Sequence, residues 1–216
     1  STVGVKPKDD VPPVTYLRVH RDEWTDFTDY TKTSEVFYVR KETVVMTSFE
    51  EASDLESMSY YVSSKPLSLN ALNSVSKWVK ADYDVDCFKL VPYQKIYVYV
   101  KSVDSQGNVG YVSKCIMLDP DLPTLTGIKN GVSYCEGQTI YITDKYLASV
   151  LLNGEEIINQ LGADGSYQFE TNSGSQKFVI TDQAGNTRRC KVLFSDETLK
   201  DNHLIDGNDR STIDSV

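Results

Sequence analysis

Four cysteines, two histidines and 31 acidic side chains are the groups with which this 216-residue chain could do chemistry. Cys87, Cys115, Cys135 and Cys190 are scattered along it. A zinc site draws on ligand pairs a few positions apart, and no two of these come that close. A serine–histidine–aspartate arrangement needs a histidine oriented by a carboxylate beside a nucleophile. His20 stands in His20-Arg21-Asp22-Glu23, which reads as a hairpin turn, and His203 lies in a polar C-terminal stretch. Both are expected to be solvated. Counting does not exclude paired carboxylates of the glycosidase kind, but Glu50-Glu51, Asp82, Asp84, Asp86 and Glu155-Glu156 fall in apparent loops and read as solvated acids. Calcium takes several oxygens from one loop. Asp82-Tyr83-Asp84-Val85-Asp86 lacks the glycine turn of an EF-hand, and Asp206-Gly207-Asn208-Asp209 lacks its later ligand positions. No catalytic residue, no metal ligand and no cofactor is expected.

Aromatic side chains are the remaining binding material. Trp24, Phe27 and Tyr30 recur three apart in a turn-rich stretch, and Tyr83 lies among acids. Ring faces beside carboxylates suit a sugar or a basic protein patch, so Trp24, Phe27 and Tyr83 form the candidate ligand surface.

The elements that must carry these residues are β-strands. Short runs such as Thr15–Val19, Lys95–Val103, Gly110–Leu118, Gln176–Thr181 and Thr187–Phe194 are rich in β-branched and aromatic residues and are cut by Gly, Asn, Asp and Pro. That punctuation predicts an all-β chain of sandwiches. One stretch departs from it: Leu69, Leu72 and Val75 recur every three behind Ser68, an N-cap residue. They predict a short helix ending before Trp78 and capping one open end of the first sandwich. Asp104-Ser105-Gln106-Gly107-Asn108 and Asp182-Gln183-Ala184-Gly185-Asn186 share one form, each between two strand-like runs. In such a turn the aspartate accepts backbone N–H groups while Gly-Asn tolerates positive φ. Asp104, Gly107, Asn108, Asp182, Gly185 and Asn186 are therefore structural turn residues of two related sandwiches. Pro120 and Pro123 restrict the backbone between them. The expected organisation is a flexible lead-in (1–12), a first sandwich (13–120), a second, smaller one (121–195) and a polar tail or linker (196–216).

With 22 basic against 31 acidic side chains the net charge is −9. That sign disfavours nucleic acid, which is held by a basic stripe. No apolar run is long enough to span a bilayer, and no signal-peptide pattern opens the chain.

The order of motifs resembles the tandem immunoglobulin-like repeats of large cell-surface proteins from gut Gram-positive bacteria. The residues that carry the resemblance in the first repeat are Trp24-Thr25-Asp26-Phe27, Met58-Ser59-Tyr60-Tyr61-Val62-Ser63, Trp78-Val79-Lys80-Ala81 and the stretch from Asp104 to Ser113. In the second they are Gly131-Val132-Ser133-Tyr134-Cys135, the stretch from Asp144 to Gly154, and Asp182 to Asn186. Gln106 stands where the repeats have Ala, and Pro120-Asp121-Leu122-Pro123 replaces their usual joint. The resemblance covers residues 13 to 195 and brings no catalytic residues with it. It implies two immunoglobulin-like or fibronectin-III-like sandwiches, extracellular and secreted or attached to the cell wall. It also gives Trp24 and Trp78 a place packing the core or its edge.

In an exported chain a disulfide can persist. Cys135 lies at the first strand of the second sandwich and Cys190 in its last, strands that often run side by side, so the pair is a candidate bridge. The alternative is two buried thiols acting as small hydrophobes. Cys87 with Cys115 is a second conceivable pair. The function expected is non-enzymatic: a stalk and adhesion module toward glycans or host proteins, monomeric within a longer multidomain chain. The alternatives are a ligand-free spacer and an accessory module of an extracellular glycan-active enzyme.

Overall fold

The computed structural model describes residues 4–5, 7–28, 35–41, 43–50, 54–81 and 85–195; for 43–50 and 85–88 it describes the backbone alone. Tyr83, Tyr30, His203 and the acids at 206–209 lie outside the described residues. The chain divides into two compact units, Ser1–Pro120 and Asp121–Val216.

Unit 1 contains β1 (Thr15–His20), β2 (Trp24–Phe27), β3 (Val36–Val39), β4 (Thr43–Glu50), β5 (Leu55–Ser63), α1 (Leu69–Asn73), β6 (Val79–Lys80), β7 (Val85–Lys89), β8 (Lys95–Asp104) and β9 (Val109–Leu118). They form two sheets, in the orders β2-β1-β4-β7 and β3-β9-β8-β5-β6. Side chains alternate across a strand, and β1 obeys this: Thr15, Leu17 and Val19 are buried while Tyr16, Arg18 and His20 are half-exposed. Leu17 and Val19 meet Met58, Val98, Val100, Val112 and Ile116 in one core. Each such side chain contributes about 1.5–3 kcal/mol when fully buried.

The second sheet is covered on its other face too. Ser68 Oγ accepts the Ala71 N–H at 3.2 Å and caps α1. The chain before and after this helix lies on the outward residues of the sheet, with Leu67 N donating to Tyr99 Oη at 2.7 Å. Tyr111 Oη likewise bonds Asn73 Oδ1 at 2.8 Å. Leu72 and Tyr99 are 0% exposed as a result. The helix is therefore not the end cap expected from its sequence. Tyr99 and Tyr111 hold the helical segment over the outer sheet face through their hydroxyls, and Leu72 is fully buried. Leu69, its expected partner on that face, is exposed.

Unit 2 contains β10 (Thr124–Thr126), β11 (Ser133–Tyr134), β12 (Gln138–Thr143), β13 (Leu147–Leu152), β14 (Glu155–Glu156), the 3-10 turn η1 (Ile158–Gln160), β15 (Ser166–Phe169), β16 (Gly174–Asp182) and β17 (Thr187–Phe194). Its sheets run β10-β12-β15 and β11-β17-β16-β13-β14. Ile140, Ile142, Val150, Phe169, Phe178, Ile180, Val192 and Phe194 fill the space between them. Both units are β-sandwiches, each with two sheets around its own core.

The two Asp-x-x-Gly-Asn turns close alike. Asp104 Oδ1 accepts from Gln106 N (2.9 Å) and Asn108 N (2.8 Å), and Oδ2 from Asn108 Nδ2 (2.8 Å). Asp182 receives Asn186 N (2.9 Å) and Nδ2 (2.8 Å) in the same way. Gly107 and Gly185 take φ of 83° and 88°, where a Cβ would be strained.

The Cys135–Cys190 bridge is corrected by strand register. The first and last strands of the large sheet do run side by side, but in parallel, with Tyr134 beside Phe194. Ser195 N donates to Tyr134 O at 2.9 Å, so Cys135 lies beyond the end of the pairing. Cys190 is set well back along β17, opposite Phe178. Four or five residues of strand amount to about 13–17 Å, against the ~7 Å limit for a disulfide. Both thiols are free, Cys135 exposed and Cys190 buried, and Cys115 is also free and buried.

Candidate functional site

The β1–β2 hairpin sets the exposed aromatic of unit 1. His20 pairs with Trp24 and Arg18 with Asp26 across it. Trp24 is 42% exposed. Its ring meets the His20 imidazole edge-on, with centroids 4.9 Å apart. Arg18 Nε bonds Asp26 Oδ1 on the same outer face, and Arg40 bonds Asp22 at the hairpin end. Among the described residues the indole N–H of Trp24 donates to no protein group. A flat ring flanked by a bound ion pair, with an unspent donor, is able to stack on a sugar ring and hydrogen-bond its hydroxyls.

Phe27 does not share this surface. It lies three residues from Trp24 in a strand, hence on the opposite face. There it packs against the core, edge-on to Phe37 at 5.4 Å, with Lys114 Nζ 4.6 Å from its ring centroid. The three-residue recurrence suggested a joint surface because the stretch read as turns; as β2 it separates the two rings. His20 likewise ends a strand instead of sitting in the turn.

Trp78 is half-buried. It stacks on Tyr111 at 6.1 Å, lies 6.1 Å from Tyr61, and receives Lys101 Nζ at 4.8 Å. Its Nε1 donates to Val75 O at 3.1 Å. With its faces engaged and its donor spent, it fixes the segment after α1 to the sheet.

Three acids remote in sequence, Asp9, Asp54 and Asp104, bring one carboxylate oxygen each within 4.8 Å of one another. Spacing along the chain gave no sign of this grouping. Burial pushes the Asp104 carboxyl up, but the hydrogen bonds from Asn108, Gln106 and Gly107 together outweigh it and hold the group below the ordinary carboxylate range. Its oxygens serve the turn. Beside this pole a groove of about 530 Å³ is lined by Pro13, Val14, Leu69, Asn73, Val109 and Tyr111, among others.

Burial also pushes the Cys115 and Cys190 thiols up. They stay protonated and inert, as structural buried thiols do. Glu156, placed in a loop by its sequence, belongs to the short strand β14. It accepts from Ser149 Oγ, Val150 N (2.8 Å) and Ile158 N (3.1 Å). Asp86, expected in a loop, falls within β7.

No family model matches the chain, and no curated protein matches it. Among solved structures it is similar to the fibronectin(III)-like modules of Clostridium thermocellum CbhA, at 11% identity and a TM-score of 0.39, over 75% of this chain and 90% of that one. It is similar to murine CEACAM1b at 10% identity and a TM-score of 0.42, over 77% and 96% of the two chains. Extracellular domains 3–5 of Drosophila OTK are matched at 8% identity and a TM-score of 0.47, over 88% of each chain. In fold the chain is two successive all-β sandwich units.

Proposed function

We propose that this chain is a non-catalytic, extracellular tandem module of a bacterial surface or secreted protein, with a stalk and adhesion role toward glycans or host proteins. The resemblance of residues 13 to 195 to gut Gram-positive surface repeats supports the setting. The observation that carries the binding role is Trp24, a large ring left 42% exposed on a β-hairpin beside the Arg18–Asp26 pair. The division into two compact units at Pro120 and Asp121 fits a multidomain chain.

The test is a binding screen of the whole chain, and of Trp24→Ala, against mucin glycans, plant polysaccharides and host serum and matrix proteins. A saturable ligand whose binding weakens about tenfold in the variant, equivalent to about 1.4 kcal/mol, supports adhesion through this hairpin. Equal binding by both proteins removes Trp24 from the site. Silence across the panel from a folded protein leaves a spacer.

A further inference from the structure

The net charge of −9 conceals a local reversal on unit 2. In β16 and β17, Phe178 pairs with Cys190 and Gln176 with Val192, and these buried residues face the core. The alternate positions therefore face outward, and the same register sets Lys177 directly opposite Lys191 and Arg189 opposite Val179. Lys177 and Arg189 are exposed and Lys191 is half-buried. Cross-strand partners stand about 4.5–5.5 Å apart at Cβ, diagonal neighbours about 7–8 Å, and next-but-one residues of a strand about 7 Å. Three cations thus form one compact triangle.

None of the three has a carboxylate within ion-pair reach among the described residues. The acids of the neighbouring edge strand are Glu155 and Glu156 in β14, and Glu156 is the one level with Val179. The Glu156 oxygens are taken by Ser149, Val150 and Ile158. Like charges directly opposed in a sheet destabilise it, so Lys177 against Lys191 works against the fold, and no described carboxylate pairs with either.

We infer that Lys177, Arg189 and Lys191 form a docking surface for an anionic polysaccharide, one carrying sulfate or carboxylate groups. Charge complementarity names the occupant: the triangle offers ammonium and guanidinium donors to separated anionic groups. Val179, half-buried opposite Arg189 and beside Lys177, completes the patch with apolar surface for the face of a sugar ring. A nucleic-acid duplex, with a charge every ~1.7 Å, would run its remaining phosphates onto the rest of a chain of net charge −9. A polysaccharide with spaced anions need not. The site is separate from the Trp24 hairpin and stands or falls without it.

The test uses the whole chain, its Lys177→Thr/Lys191→Thr double variant, Arg189→Gln and Trp24→Ala. Each is applied to immobilised heparin and polygalacturonate, with dextran, duplex DNA and anionic phospholipid vesicles as further arms. The expected result is retention on one or both anionic polysaccharides at low ionic strength and its loss as salt screens the charges. Retention falls about tenfold or more in the double variant, about 1.4 kcal/mol, and also in Arg189→Gln, but is unchanged in Trp24→Ala. The double variant melts at or above the wild-type temperature, because a like-charge pair is replaced by strand-favouring threonines. Undiminished retention in both basic-site variants overturns the inference, as does comparable retention on dextran. Equal or tighter binding to DNA or vesicles also overturns it. If the double variant melts lower, Arg189→Gln alone decides, since Arg189 has no like charge opposite.

Discussion

A single carboxylate organises each Asp-x-x-Gly-Asn turn, and its ionisation is tied to folding. Asp104 accepts hydrogen bonds from Asn108, Gln106 and Gly107 as an anion, which hold it below the ordinary range although burial opposes them. The folded state therefore binds its proton more weakly than the unfolded chain does. The stability from this group is complete above the ordinary aspartate value, about 3.9, and is lost as pH falls from there through the folded value. Melting temperature measured against pH should drop on this acid limb, and Asp104→Asn should flatten that drop while lowering stability at neutral pH. An unchanged acid limb would dissociate the turn from acid unfolding. In unit 2, Asp182→Ala removes the acceptor of two bonds from Asn186, and about 1–3 kcal/mol of destabilisation is expected from the buried groups left unpaired. Gly110 is a different kind of constraint: a Cβ there would meet Pro13 O at 2.2 Å, too close for any side chain.

At the scale of strands and helices, alternation was the legible signal and pairing was not. The inward valines of β8, the strands flanking both turns and the Ser68 cap could be read directly. β2 was missed because an edge strand of four residues with an exposed tryptophan looks like a turn. The seat of α1 was misjudged because it depends on tyrosines in β8 and β9 that look like solvent-facing positions. Cys190 does lie in the last strand, whereas Cys135 falls just past the short β11, and the parallel register that separates them is a tertiary fact. The same limit applied to the sites. Trp24 was visible as an exposed ring, whereas Lys177, Arg189 and Lys191 become neighbours only through the β16–β17 register. Thiol labelling checks the corrected pairing. Cys135 should react in the native protein, with Cys115 and Cys190 becoming reactive only on unfolding. Protection of Cys135 in the unreduced protein would restore a bridge.

Each unit of the whole molecule has its own closed set of buried side chains, one around Leu17, Val98 and Ile116, the other around Ile140, Phe178 and Phe194. Residues 121–195 expressed alone should give a β-sheet circular-dichroism spectrum and a cooperative melt, and an unfolded product would show that this core is insufficient. Sandwiches of this size bury enough apolar surface to fold without cofactors, so strings of them can be lengthened without new chemistry. The parallel contact of β11 with β17 bears on such a string under tension. Leu193 N to Val132 O and Ser195 N to Tyr134 O lie along two strands that point the same way. Force applied to the N-terminal end of β11 and the C-terminal end of β17 loads these bonds in shear, so they must rupture together and not peel apart in turn. A unit braced this way should yield late and abruptly when pulled along these two strands.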